Sequence, residues 1–92
     1  MHNYPKIKTA IPLDDYRLQV TFVNGVCKVY DCKPLLQNSA FGSLTWGWLF
    51  RSVQVDAGGY GVSWNDEIDL SESELWEHGT RWESLPAIAT PA

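Results

Sequence analysis

The side chains able to do chemistry in this sequence are few and far apart. They are two thiols, Cys27 and Cys32, two imidazoles, His2 and His78, and an acidic run at Asp66, Glu67 and Asp69. Nucleophilic catalysis needs a nucleophile, a base and an orienting group held together. His2 sits at a terminus. His78 falls at the end of an expected helix, where the negative end of the helix dipole accounts for it as a cap contact. Cys32 follows a strand beside Lys33, whose charge lowers a thiol pKa only where the pair is exposed. Cys27 is expected in the core. Zinc asks for about four ligands at recognised spacings, which Cys27-x4-Cys32 and two remote histidines do not supply. The acidic run lacks the glycine and closing glutamate of a calcium loop. Gly58-Gly59-x-Gly61 lacks the strand-to-helix setting of a phosphate loop and reads as turn chemistry. The expectation is no catalytic site, no cofactor and no metal.

The aromatic residues say more. Five tryptophans in 92 residues are many for so small a core. Trp64 and Trp76 fall at inward positions of a strand and a helix. Trp46 and Trp48 are two apart, so on a helix they diverge by about 200° and cannot both face inward. Trp82 lies in an expected tail. Tryptophan is enriched at the energetic centres of interfaces, so Trp46, Trp48 and Trp82 are the candidate partner-binding residues.

Composition bounds the rest. The chain is 45% hydrophobic and 20% charged, ordinary for one globular domain. No apolar run approaches the roughly 20 residues that span a bilayer, and the start lacks the apolar stretch of a signal peptide. A cytoplasmic protein without membrane contact is expected. The net charge of −4 hides an asymmetry: residues 1–54 carry +3 and residues 55–92 carry −7. Such a chain suits self-association or a basic partner. A pI near 4.9 argues against nucleic acid. That alternative keeps one feature, a sheet face carrying Arg17, Lys28 and Tyr30.

The elements that must position these residues follow from periodicity. Ile7, Thr9 and Ile11 alternate as a first strand, and Asp14-Asp15 turns the chain. Tyr16, Leu18, Val20 and Phe22 alternate with Arg17, Gln19 and Thr21, the pattern of a half-buried strand. Asn24-Gly25 fits a two-residue hairpin turn, which sets Phe22 opposite Cys27 and Val20 opposite Val29. Pro34 suits a short helical turn, and Asn38 to Ser43 reads as loop. Thr45 caps a short helix over Trp46 to Phe50. A second hairpin joins Arg51–Asp56 to Tyr60–Trp64. Ser71 and Glu74 have capping-box spacing, Leu70 and Leu75 staple spacing, and Gly79 ends a two-turn helix. The fold class is therefore α+β: a single antiparallel sheet of four or five strands, a short mid-chain helix and a short C-terminal helix. Residues 1–79 form the domain and 80–92 a loose tail.

Four stretches also carry a family resemblance. The run Pro12-Leu13-Asp14-Asp15-Tyr16-Arg17-Leu18, continued by Val20, Phe22 and Asn24-Gly25, is similar to the bacterial domain of unknown function 2442 family. So are Tyr30-Asp31-Cys32-Lys33-Pro34-Leu35-Leu36, Phe50-Arg51-Ser52-Val53 with Val55-Asp56, and Gly61-Val62-Ser63-Trp64-Asn65-Asp66 with Asp69-Leu70 and Leu75-Trp76. The similarity covers about residues 5–79. It implies a small α+β domain with no enzymatic activity and no cofactor. Some relatives are fused to a helix-turn-helix domain, and others look like halves of two-gene cassettes of toxin–antitoxin type. Thr45-Trp46-Gly47-Trp48 departs from the family, where a charged or polar turn is usual. The resulting expectation is a non-catalytic interaction module that binds a protein partner or a second copy of itself, with an antitoxin-like role as its specific form. The alternative is a nucleic-acid-binding regulatory accessory protein.

Overall fold

The computed structural model describes residues 4–82. Its order is β1 (Ile7–Leu13), a 3-10 turn at Asp14–Tyr16, β2 (Arg17–Phe22), β3 (Cys27–Asp31), 3-10 helices at Lys33–Gln37 and Ser39–Thr45, α1 (Gly47–Phe50), β4 (Gln54–Val55), a 3-10 turn at Ala57–Gly59, β5 (Gly61–Ser63), β6 (Asp69–Ser71), α2 (Glu72–His78) and β7 (Thr80–Arg81). The α+β class holds, but the strands form two sheets rather than one. A four-stranded antiparallel sheet runs β1-β2-β3-β7, and a three-stranded sheet runs β4-β5-β6. β4 packs against β1, so the two sheets share one core. The expected loop over 38–43 is largely 3-10 helix, and Asp69–Ser71, expected to lead into the helix, is a strand.

The first hairpin forms where alternation places it, in a register one residue away. Gly25 N–H donates to Phe22 O and Phe22 N–H donates to Val26 O, both at 2.9 Å, so the loop holds Val23, Asn24 and Gly25. Gly25 takes φ +90, the left-handed residue that closes a three-residue hairpin. Val20 therefore faces Lys28, Leu18 faces Tyr30 and Thr21 faces Cys27. A shift of one residue turns every β3 side chain to the other face. Lys28 and Tyr30 point inward with Leu18, Val20 and Phe22, and Cys27, expected in the core, is only half-buried. A bulge between Ile7 and Thr9 likewise separates the first strand's expected stripe: Ile7 is buried and Ile11 exposed.

The capped helix α2 forms over the expected residues with one half of the capping box, since the Glu74 carboxylate takes the Tyr30 hydroxyl rather than reaching back to Ser71. Ser71 Oγ accepts from Glu74 N–H at 3.2 Å, and Leu70 and Leu75 are both in the core. Gly79 ends the helix, its N–H donating to Leu75 O at 3.0 Å. Its φ of −76 is open to any residue; glycine is needed because a Cβ there would meet Leu75 O at 2.5 Å and Lys28 Cβ at 3.1 Å. The chain then returns to the sheet as β7, pairing Thr80 with Val29 and Arg81 with Lys28, so the expected tail begins as an edge strand. His2 and the tail beyond Trp82 lie outside the described residues. Among the described residues no helix is long and apolar enough to cross a membrane.

Candidate functional site

Asn38 Oδ1 accepts from Ala40 N–H at 2.9 Å and starts the 3-10 run. Thr45 Oγ donates to Gly42 O at 2.9 Å and ends it, rather than capping the next helix. Trp46 is the capping residue of α1. It stays extended at φ −73, ψ 111, while its carbonyl accepts from Leu49 and Phe50 N–H at 3.0 Å. Because Trp46 stands outside the helix, its ring does not diverge from that of Trp48. The two indoles stack, 5.9 Å between centroids and 14° between planes. They are 56% and 66% exposed, while Leu49 and Phe50 on the same turn are buried.

The base of this turn is held from the 3-10 turn that precedes β2. Tyr16 Oη donates to Thr45 O at 2.7 Å, and its ring meets Phe50 edge-on at 5.3 Å. Asp15 and Tyr16 have φ of +65 and +58, two consecutive left-handed residues that are not glycine. Such backbone costs on the order of 1 kcal/mol per residue and persists only where its surroundings over-determine it. Here Lys33 Nζ reaches both Asp15 O and Asp15 Oδ2 at 3.1 Å and Asp31 Oδ1 at 3.2 Å. Cys32 N–H closes the loop on Tyr16 O at 2.9 Å.

Trp82 does not join the pair. It is half-buried and follows Arg81, which pairs with Lys28 near the hairpin end of β3. The Tyr16 anchor pairs at the opposite end, with Cys32. Five residues of strand, about 16 Å, separate Cys27 from Cys32, so the three candidate tryptophans do not form one patch.

The chemically capable residues are also dispersed. Cys32 has no exposed area, so Lys33 does not meet an exposed thiol there. Burial, then the Asp31 charge, push its thiol up to about 12. His78 Nε2 lies 3.9 Å from Glu74 Oε1, one turn back on α2. The face expected to carry Lys28 and Tyr30 outward is turned in. Lys28 is 9% exposed, with its ammonium 4.0 Å over the Trp76 ring and bonded to Trp76 O at the end of α2. Burial, then the Arg81 charge, lower its pKa. Tyr30 Oη donates to Glu74 Oε2 at 2.7 Å, and burial, then that bond, raise its pKa. Of the proposed stacking face only Arg17 remains outward.

One feature was not legible in the sequence. Arg17, Tyr30, Glu74 and His78 converge on a cleft of about 560 Å³ where β7 begins. They are spread over sixty residues of sequence, and only the β3 register and the return of β7 bring them together.

Searches of curated proteins and of solved structures give no match to this chain. A family model matches residues 7–81, from the start of β1 to the end of β7. The matched span takes in the left-handed Asp15–Tyr16 turn, the tryptophan turn and the edge cleft. The chain belongs to the protein family of unknown function DUF2442.

Proposed function

We propose that this protein is a non-catalytic interaction module whose Trp46–Trp48 turn docks a protein partner. The stacked, exposed indole pair on a clamped base carries the reading. Each ring leaves about 2 kcal/mol of burial free energy unused in water. A partner that covers both gains two rigid aromatic anchors at little ordering cost. The non-catalytic part rests on a thiol that burial keeps protonated. Antitoxin-like neutralisation of the partner is the specific form suggested by family resemblance. A cytoplasmic setting, where Cys27 and Cys32 stay reduced, belongs to the same proposal. The nucleic-acid alternative loses its footing with the inward turn of Lys28 and Tyr30.

The test is affinity purification from the native host with the full chain and with a Trp46→Ala/Trp48→Ala variant, compared by quantitative mass spectrometry. A protein partner held by this turn is retained by the first and lost from the second. Equal retention by both rejects the turn as the docking surface. Sedimentation of the purified chain separates self-association from binding of a different protein.

A further inference from the structure

β7 is two residues long and pairs only with Lys28 and Val29. Among the described residues, β3 therefore has no strand neighbour on that side at Asp31. Along β3 the main chain alternates in direction. Val26 O accepts from Phe22 and Cys32 N–H donates to Tyr16, so residues of even number turn toward β2. Val29 turns the other way, to Thr80 in β7. Asp31, two residues beyond Val29 and past the first residue of β7, turns that way too and lines the cleft.

The cleft wraps around this edge. Arg17, Val29 and Thr80 line it from one face of the sheet, and Tyr30, Glu74 and His78 from the other. Pro34 and Leu35 form an apolar wall. Its carboxylates have partners: Glu74 takes the Tyr30 hydroxyl and faces His78, and Asp31 Oδ1 accepts from Lys33 N–H at 2.9 Å and pairs with Lys33 Nζ. Arg17 differs. Among the described residues its guanidinium makes one hydrogen bond, Nε to Asp14 O at 3.3 Å, and no carboxylate lies within ion-pair distance of it. An open main-chain edge, an apolar wall and an unpaired guanidinium match the parts of an extended peptide: its backbone, an apolar side chain and an acid.

The geometry points to strand addition at this edge. An extended acidic segment of a partner protein pairs its main chain with Asp31, sets a carboxylate on Arg17 and lays an apolar side chain on Pro34 and Leu35. This site is separate from the tryptophan turn and does not depend on it.

The full chain is used to select from a phage-displayed library of random peptides roughly eight residues long, enough for one strand. Selected peptides are then synthesised and measured by calorimetry. The expected consensus is an acidic residue beside a β-branched or other apolar one. Arg17→Ala, or exchange of the peptide's acid for its amide, weakens binding about tenfold or more. N-methylation of alternate peptide bonds abolishes it. The peptide-side changes keep the test valid if Arg17→Ala does not fold. A selection without an acidic consensus, or affinities unmoved by both the Arg17 and the acid changes, overturns the site. Peptides that tolerate N-methylation overturn strand addition as its mode.

Discussion

A thiol with no exposed surface ionises mainly by unfolding, and this sets the response of the protein to alkali. Cys32 has a folded pKa of about 12, against roughly 8.5 in an unfolded chain. Below the unfolded value both states hold the proton and stability is untouched. Above it only the unfolded chain ionises, so stability falls by up to about 1.4 kcal/mol per pH unit until the folded pKa is reached. Tyr30, also raised, works in the same direction; Lys28, lowered, opposes it. Urea melts at stepped pH from neutral into this window are expected to show the loss, and Cys32→Ala to flatten it. In the folded protein a thiol reagent is expected to titrate the half-buried Cys27 first and Cys32 only on denaturation. Equal rates at both would contradict the burial. Sequence reasoning misplaced Cys27, because whether it lies inside depends on a register that one extra turn residue reverses.

The hairpin and the capped helix show how far local patterns reach. Alternation over Tyr16–Phe22 identified the strand and its buried side, because every inward residue there is apolar. It did not fix the register, since Val23-Asn24-Gly25 closes with the same Asn-Gly pair that a two-residue turn uses. Lys28 and Tyr30 then carry polar heads into the interior, where Trp76 O and Glu74 receive them. A polar residue satisfied inside reads in sequence as one outside. Phe22 is fully buried and meets Trp76 edge-on at 5.0 Å. Phe22→Ala is expected to cost roughly 3–5 kcal/mol in a denaturant melt. The helix was legible because its signals are chemical and adjacent: a hydroxyl three residues from the amide it accepts. Ser71→Ala should cost about 1 kcal/mol, and a loss near zero would show that the 3.2 Å bond contributes nothing in solution.

Across the whole molecule, division into two sheets was not legible. β4 has two residues and β5 and β6 have three each, too short for a period to declare a separate layer. The excess of tryptophan was legible, and the fold sorts the rings by what surrounds them. Trp64 is buried, stacks near Phe50 at 6.2 Å and donates its indole N–H to Phe50 O at 3.0 Å. Trp46 and Trp48 keep more than half of their surface in water and lean on each other. Truncation should therefore divide one residue type into two classes. Trp64→Ala removes a packed ring and leaves a buried carbonyl without its donor, a loss of about 3–5 kcal/mol that consumes much of the margin of a small domain. Trp46→Ala and Trp48→Ala remove rings that folding leaves mostly uncovered, and each should shift a melt by less than about 1 kcal/mol. Their effect belongs to complex formation instead, because the rings' uncovered area is what a partner can bury. If the Trp46 and Trp48 variants unfold as readily as Trp64→Ala, the turn is part of the scaffold and the docking role falls. If they fold normally and bind normally, the scaffold survives and the docking surface lies elsewhere.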